Sequence, residues 1–135
     1  MTGLWVVVAV VALVGLAGLI RSRTDGRTRS VSPREALDAQ RLGTDLGSRA
    51  TLVQFSSPAC APCRTTRVAL AAVAADEPGV VHWEVDAASR LDLARDFGVL
   101  RTPTTLVLDS VGVVRQRISG PADRRLARDA LAALT

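Results

Sequence analysis

The chain of 135 residues has no lysine, no tyrosine and no asparagine, and all 17 of its basic side chains are arginine. With so many alanines and valines beside them, these gaps read as compositional bias and carry no function. Aromatic residues make up only 3% of the sequence. The formal charge of +4 is evenly divided, with 12 Arg against 10 acids from Arg41 onward and 5 Arg against 3 acids before it. A chain with neither a basic face nor aromatic platforms is not expected to bind nucleic acid. It has two cysteines, Cys60 and Cys63, and a single histidine, His82. Tetrahedral zinc takes about four N, S or O ligands, so an intrachain zinc site would need carboxylates or a second copy.

Charge is also missing from Thr2 to Ile20, nineteen residues that at about 1.5 Å rise each nearly match the thickness of a bilayer core. Residues 2–20 are therefore expected to form one transmembrane helix, with Trp5 at the interface and Gly15 and Gly18 tolerated within it. A cleaved signal peptide would need a positive n-region and a small-x-small cleavage site. Met1 to Leu4 include no basic side chain, and Leu16 to Ser22 make a poor cleavage site. The expectation is an uncleaved, single-pass anchor. Arg21, Arg23, Arg27 and Arg29 follow at once, and basic residues beside a membrane helix tend to stay in the cytoplasm. That places the rest of the chain on the cytoplasmic side, with the extracytoplasmic side as the alternative. Residues 21–31 read as a flexible polar tether, and residues 32–135 as the folded domain. Ser32-Pro33-Arg34-Glu35 has the form of a capping box that opens a short helix to about Leu42, ended by Gly43.

Both cysteines fall in Gln54-Phe-Ser-Ser-Pro-Ala-Cys60-Ala-Pro-Cys63-Arg64. An apolar run, Thr51 to Phe55, reads as a strand feeding into this stretch, and an alanine-rich run, about Arg64 to Ala75, as a helix leaving it. The first turn of a helix offers unpaired N–H groups and the positive end of the macrodipole, both of which favour a thiolate. A cysteine there ionises well below its ordinary value of about 8.5. Cys60, at the mouth of the helix, is the candidate nucleophile, and Cys63, one turn inside and more buried, the candidate resolving thiol. Pro62 suits the first helical turn and restricts the loop. Arg64 and Arg67 add positive potential, screened by salt. Half of a metal site and an inert cysteine pair are the competing readings. The strand-to-helix setting favours redox chemistry.

Ser57-Pro-Ala-Cys-Ala-Pro-Cys-Arg64 resembles the active-site loop of the thioredoxin family, and Arg101-Thr102-Pro103-Thr104-Thr105-Leu106 resembles that family's cis-proline segment. Val85-Asp86, Asp92 to Val99, Gly112 and Gly120 fit the same pattern, which covers about Thr51 to Leu134. The resemblance implies an α/β thioredoxin-like fold with four main strands. Thr51–Phe55 and Val80–Val85 would form a parallel pair, and Thr104–Leu108 with Gly112–Ile118 an antiparallel hairpin. Helices would cover both faces, the one after Cys63 on one side and the last, starting at Gly120-Pro121, on the other. No additional N-terminal strand is evident, and the last strand reads as an edge.

The resemblance also implies a Cys60–Cys63 disulfide in the oxidised state, a cis Thr102–Pro103 bond and substrate docking along Thr102 and Pro103. The substrates would be protein disulfides, served by an electron donor or acceptor that the sequence does not identify. The two sulfurs carry the electrons, so no cofactor and no metal is expected. Three positions depart from the family. Gln54 replaces a buried Asp that takes a proton from the resolving thiol, Glu84 replaces that Asp's Lys partner, and Ala59 replaces a Trp. Gln cannot ionise, so proton handling at Cys63 must differ, and resolution should be slow. His82, on the same side of its strand as Glu84, reads as structural. The alternative function is a non-catalytic binding module, or a soft-metal carrier such as one for Cu(I).

Overall fold

The computed structural model describes residues 2–24, 27–30 and 36–135. In chain order its elements are α1 (Thr2–Thr24), β1 (Arg27–Ser30), α2 (Ala39–Leu42), β2 (Ala50–Ser56) and α3 (Ala61–Asp76), followed by β3 (Val80–Asp86), α4 (Leu91–Asp96), β4 (Thr104–Asp109), β5 (Val114–Ser119) and α5 (Arg124–Ala132). The strands form one mixed sheet in the order β1-β5-β4-β2-β3.

Strand β2 is buried along its whole length. It has β3 parallel on one side and β4 antiparallel on the other, and α3 supplies the crossover that a parallel pair requires. Successive side chains of a strand point to opposite faces, and β2 uses both. Leu52 packs with Leu70 and Val73 of α3 and with Ala127, Ala130 and Leu131 of α5. Val53 and Phe55 pack on the other face with Leu93, Ala94 and Phe97 from α4 and the residue after it. The four central strands, the parallel pair, the hairpin and the helices on both faces are as the resemblance implies. One detail differs: α3 and α5 share a face, and α4 covers the opposite one. Leu70 and Val73 of α3 and Ala127, Ala130 and Leu131 of α5 belong to one buried cluster, so the two helices bury their apolar sides together.

The sheet has a fifth strand that the sequence did not reveal. Arg27–Ser30 pairs antiparallel with β5, so β5 is not an edge, and the open edges are β1 and β3. Arg-Thr-Arg-Ser has no apolar alternation, so only the free edge of β5 specifies it as a strand. The segment read as a tether, residues 21–31, thus holds the last turn of α1 and β1.

The capping box at Ser32 to Glu35 lies outside the described residues. The helix expected to run from it to Leu42 is a single turn, Ala39–Leu42, capped by the Asp38 side chain and closed by Gly43 in the left-handed region. Ala36 instead forms a bridge with Val113, and the Leu37 amide donates to the Gly112 carbonyl. Gly112 itself has φ +85°, and a Cβ there would strike the Leu37 carbonyl oxygen. Helix α5 likewise starts later than Gly120-Pro121, at Arg124, because Asp123 provides the cap by accepting from the Leu126 amide. Helix α1 is long and apolar enough to cross a membrane, and its window Gly3–Arg23 is not buried against the rest of the chain.

Candidate active site

Strand β2 ends at Ser56, and the chain turns through Ser57 to Cys60 before α3 begins. The Cys60 amide donates to the Ser57 carbonyl at 3.1 Å, and the Cys63 amide to the Cys60 carbonyl at 3.2 Å. Cys60 occupies the N-cap position of α3, and Pro62 lies in the first turn. Cys60 and Cys63 are joined as a disulfide. Cys63 is 1% exposed, whereas Cys60 is half-buried and reaches a cleft of about 340 Å³. Only the first of the two cysteines is therefore open to the cleft.

The peptide bond between Thr102 and Pro103 is cis. Pro103 is buried and Thr102 half-buried. Thr102 Oγ1 lies 3.1 Å from Ser57 Oγ, which joins this loop to the dithiol loop. The Pro103 carbonyl accepts from the Gly120 amide at 2.8 Å, tying the loop to the end of β5.

Beneath the dithiol, Gln54 is fully buried and fully engaged. Its Nε2 donates to the Cys63 carbonyl and to Ser56 Oγ, each at 2.9 Å, and its Oε1 lies 3.1 Å from His82 Nε2. The register of β2 against β3 sets Gln54 beside Glu84 and Leu52 beside His82, so Gln54, His82 and Glu84 share the face covered by α3. Glu84 lines the cleft and accepts from two of the three guanidinium nitrogens of Arg67 of α3, from Nε at 2.5 Å and from Nη2 at 2.9 Å. Burial alone would raise the Glu84 carboxyl. Hydrogen bonds from Arg67 and Ser56, with the charges of Arg67 and His82, outweigh it and leave the carboxyl below its usual range. Burial pushes His82 down, Glu84 opposes this and Arg67 reinforces it. Across from Gln54 on β4, the Thr105 hydroxyl is buried and is without a hydrogen-bond partner among the described residues.

The candidate site residues read from the sequence thus lie at one end of the sheet. Cys60, Cys63, Pro62, Thr102 and Pro103 surround the disulfide, with Gln54 below it and Glu84 in the cleft wall. Sequence reasoning missed Ser56 and Ser57 as linkers, the Arg67–Glu84 pair, and His82 as the partner of Gln54. The two-residue spacings Gln54/Ser56 and His82/Glu84 place each pair on one strand face, a signal that needed the register to be read. Among the described residues no three His, Cys, Asp or Glu side chains converge to hold a metal.

A disulfide at the mouth of a helix, linked through Ser57 to a cis-proline loop on a mixed sheet, defines a thioredoxin-like domain with a close cysteine pair. Residues 38–132 match the family model described as Thioredoxin. The chain belongs to the thioredoxin family. Among solved structures it resembles the thioredoxin of Fasciola hepatica, with 26% identity and a TM-score of 0.57 over 66% of this chain and 84% of that one. Thioredoxin NaTrxh of Nicotiana alata has 27% identity and a TM-score of 0.55, over 63% of this chain and 73% of that one. For mitochondrial thioredoxin 3 of Saccharomyces cerevisiae in its oxidised form, 20% identity and a TM-score of 0.56, over 64% of this chain and 79% of that one, show the shared fold. No curated protein matches the chain.

Proposed function

We propose that the chain is a membrane-tethered thiol-disulfide oxidoreductase that exchanges its Cys60–Cys63 pair with protein disulfides. The observation that carries this reading is the unequal exposure of two bonded sulfurs at the start of α3, one half-buried and one sealed. In the reduced protein the Cys60 thiolate attacks one sulfur of a substrate disulfide. A mixed disulfide forms, and the other substrate sulfur leaves as a thiolate that takes up a proton. The Cys63 thiol then gives up its proton and attacks Cys60 Sγ, expelling the second substrate sulfur. Two electrons have passed to the substrate, and the protein is left with the Cys60–Cys63 disulfide. Attack at Cys60 is helped by the orphan N–H groups of the first turn of α3.

Thr102, beside this pair, has a backbone suited to bond an extended substrate segment by strand addition. Proteins carrying disulfides are the substrates of this reading, and the regenerating partner is a second thiol or disulfide protein. Helix α1 is the anchor, and the arginines after it favour the cytoplasmic side, where a reducing environment suits reductase direction. The test is insulin reduction by the full chain in detergent, driven by dithiothreitol. Turnover above the uncatalysed rate is expected for the wild type and none for Cys60→Ser; equal rates would end the reading. A C-terminal reporter fusion that is active only after export is expected to stay silent.

A further inference from the structure

The Gln54 amide is oriented by chemistry. Its nitrogen faces the Cys63 carbonyl oxygen at 2.9 Å, and a carbonyl has no proton to give, so the NH2 group must lie on that side. Oε1 is therefore turned toward His82 Nε2, 3.1 Å away. Oε1 also only accepts, so Nε2 must carry a proton whether the ring is neutral or cationic. Two hydrogen bonds thus link the imidazole to the backbone of the resolving cysteine, through a side chain with no exposure to solvent. We propose that His82 is a positioning residue for Cys63. As the Nε2–H tautomer it fixes Gln54, Gln54 fixes the Cys63 carbonyl, and the charge on His82 is coupled to the redox state of the dithiol. This rests on the redox reading given above.

The coupling follows from which charges near His82 can vary. Glu84 lies on the same face of β3, and Arg67 reaches over from α3, but these two are bonded to each other, act on the ring in opposite directions and do not change with the redox state. From β2 come Gln54 and Ser56, neither of which titrates. The dithiol is what changes: oxidised it is neutral, and reduced it carries a thiolate at the mouth of α3. A negative charge favours the imidazolium, and more strongly where buried protein rather than water lies between the two. Reduction therefore raises the tendency of His82 to take a proton, and by linkage a protonated His82 favours the reduced pair.

The chain has one histidine, so its ring signals in NMR need no assignment. The full chain in detergent micelles, with 15N-labelled histidine, is titrated once oxidised and once in excess dithiothreitol. The neutral ring is expected as the Nε2–H tautomer, with a midpoint that is below the ordinary histidine range in the oxidised protein and moves up on reduction. An Nδ1–H tautomer overturns the proposal, and the same midpoint in both states overturns the coupling. In stopped-flow kinetics, His82→Phe is expected to slow resolution of the Cys60 mixed disulfide by about fivefold, the worth of one ordinary hydrogen bond, with its formation unchanged. His82→Gln, which keeps a donor, is expected to restore most of that rate. A His82→Phe protein that resolves as fast as wild type overturns the positioning role. Wild-type turnover with an unmoved midpoint overturns the coupling alone. A moved midpoint without any turnover supports the coupling and sinks the redox reading.

Discussion

Ser57 Oγ and Thr102 Oγ1 lie 3.1 Å apart, so the loop bearing the cysteines and the loop bearing the cis peptide bond are joined side chain to side chain. Neither hydroxyl is needed for sulfur chemistry. On the proposed reading, their contact sets how a docked substrate strand is presented to Cys60.

Removing that contact should reduce docking more than folding. Ser57→Ala is expected to lower kcat/KM for a disulfide substrate by about three- to tenfold while costing about 0.5–1.5 kcal/mol of stability, the range for one net hydrogen bond. Steady-state kinetics and guanidinium unfolding check both. An unchanged kcat/KM would show that the loops keep their geometry without it.

Gln54 has three partners and no exposure to solvent. Gln54→Ala leaves the Cys63 carbonyl and His82 without that partner, and a loss of about 2–3 kcal/mol is expected in urea unfolding. Gln54→Asp instead introduces a group that can take a proton from Cys63. The mixed-disulfide lifetime should shorten, and if it does not, proton removal at this position does not limit resolution.

The Arg67–Glu84 pair should show its sign in acid. Glu84 ionises below its usual range in the folded chain. The stability it contributes is therefore present above the unfolded carboxyl value and is lost as pH falls through the lower, folded one. Glu84→Gln is expected to be less stable than wild type by up to about 1 kcal/mol at neutral pH. The gap should close below the ordinary carboxylate range. Thermal unfolding at stepped pH reads this directly, and a gap that widens in acid would contradict it.

The buried hydroxyl of Thr105 has no partner among the described residues, and such a group costs about 1–3 kcal/mol if left unmet. Thr105→Val keeps the shape and removes the hydroxyl, so unfolding should occur at the same or a higher denaturant concentration. A clear loss of stability would mean that the hydroxyl is engaged in solution.

The site was legible wherever its residues are close in sequence. Cys60, Pro62 and Cys63 announce themselves because a strand-to-helix turn is local, and Thr102-Pro103 does so through its resemblance to a known loop. Gln54 and Glu84 were visible only as departures from a pattern. What they bond was not visible, since Glu84 meets Arg67 and Gln54 meets His82 across strand and helix neighbours far apart in the chain.

By itself the sequence determined the apolar first helix, the alanine-rich run of α3, the apolar stripe of α5, the near-continuous apolarity that buries β2, and the place of the dithiol, because each depends on neighbours within a few residues. Tertiary structure alone decided that Arg27–Ser30 becomes a strand against β5, that α3 and α5 share one face, and that His82 stands under Cys63 through Gln54. Those outcomes depend on strand register and on which edges are left open. A one-residue slip of β3 against β2 would carry His82 and Glu84 to the other face, away from Gln54.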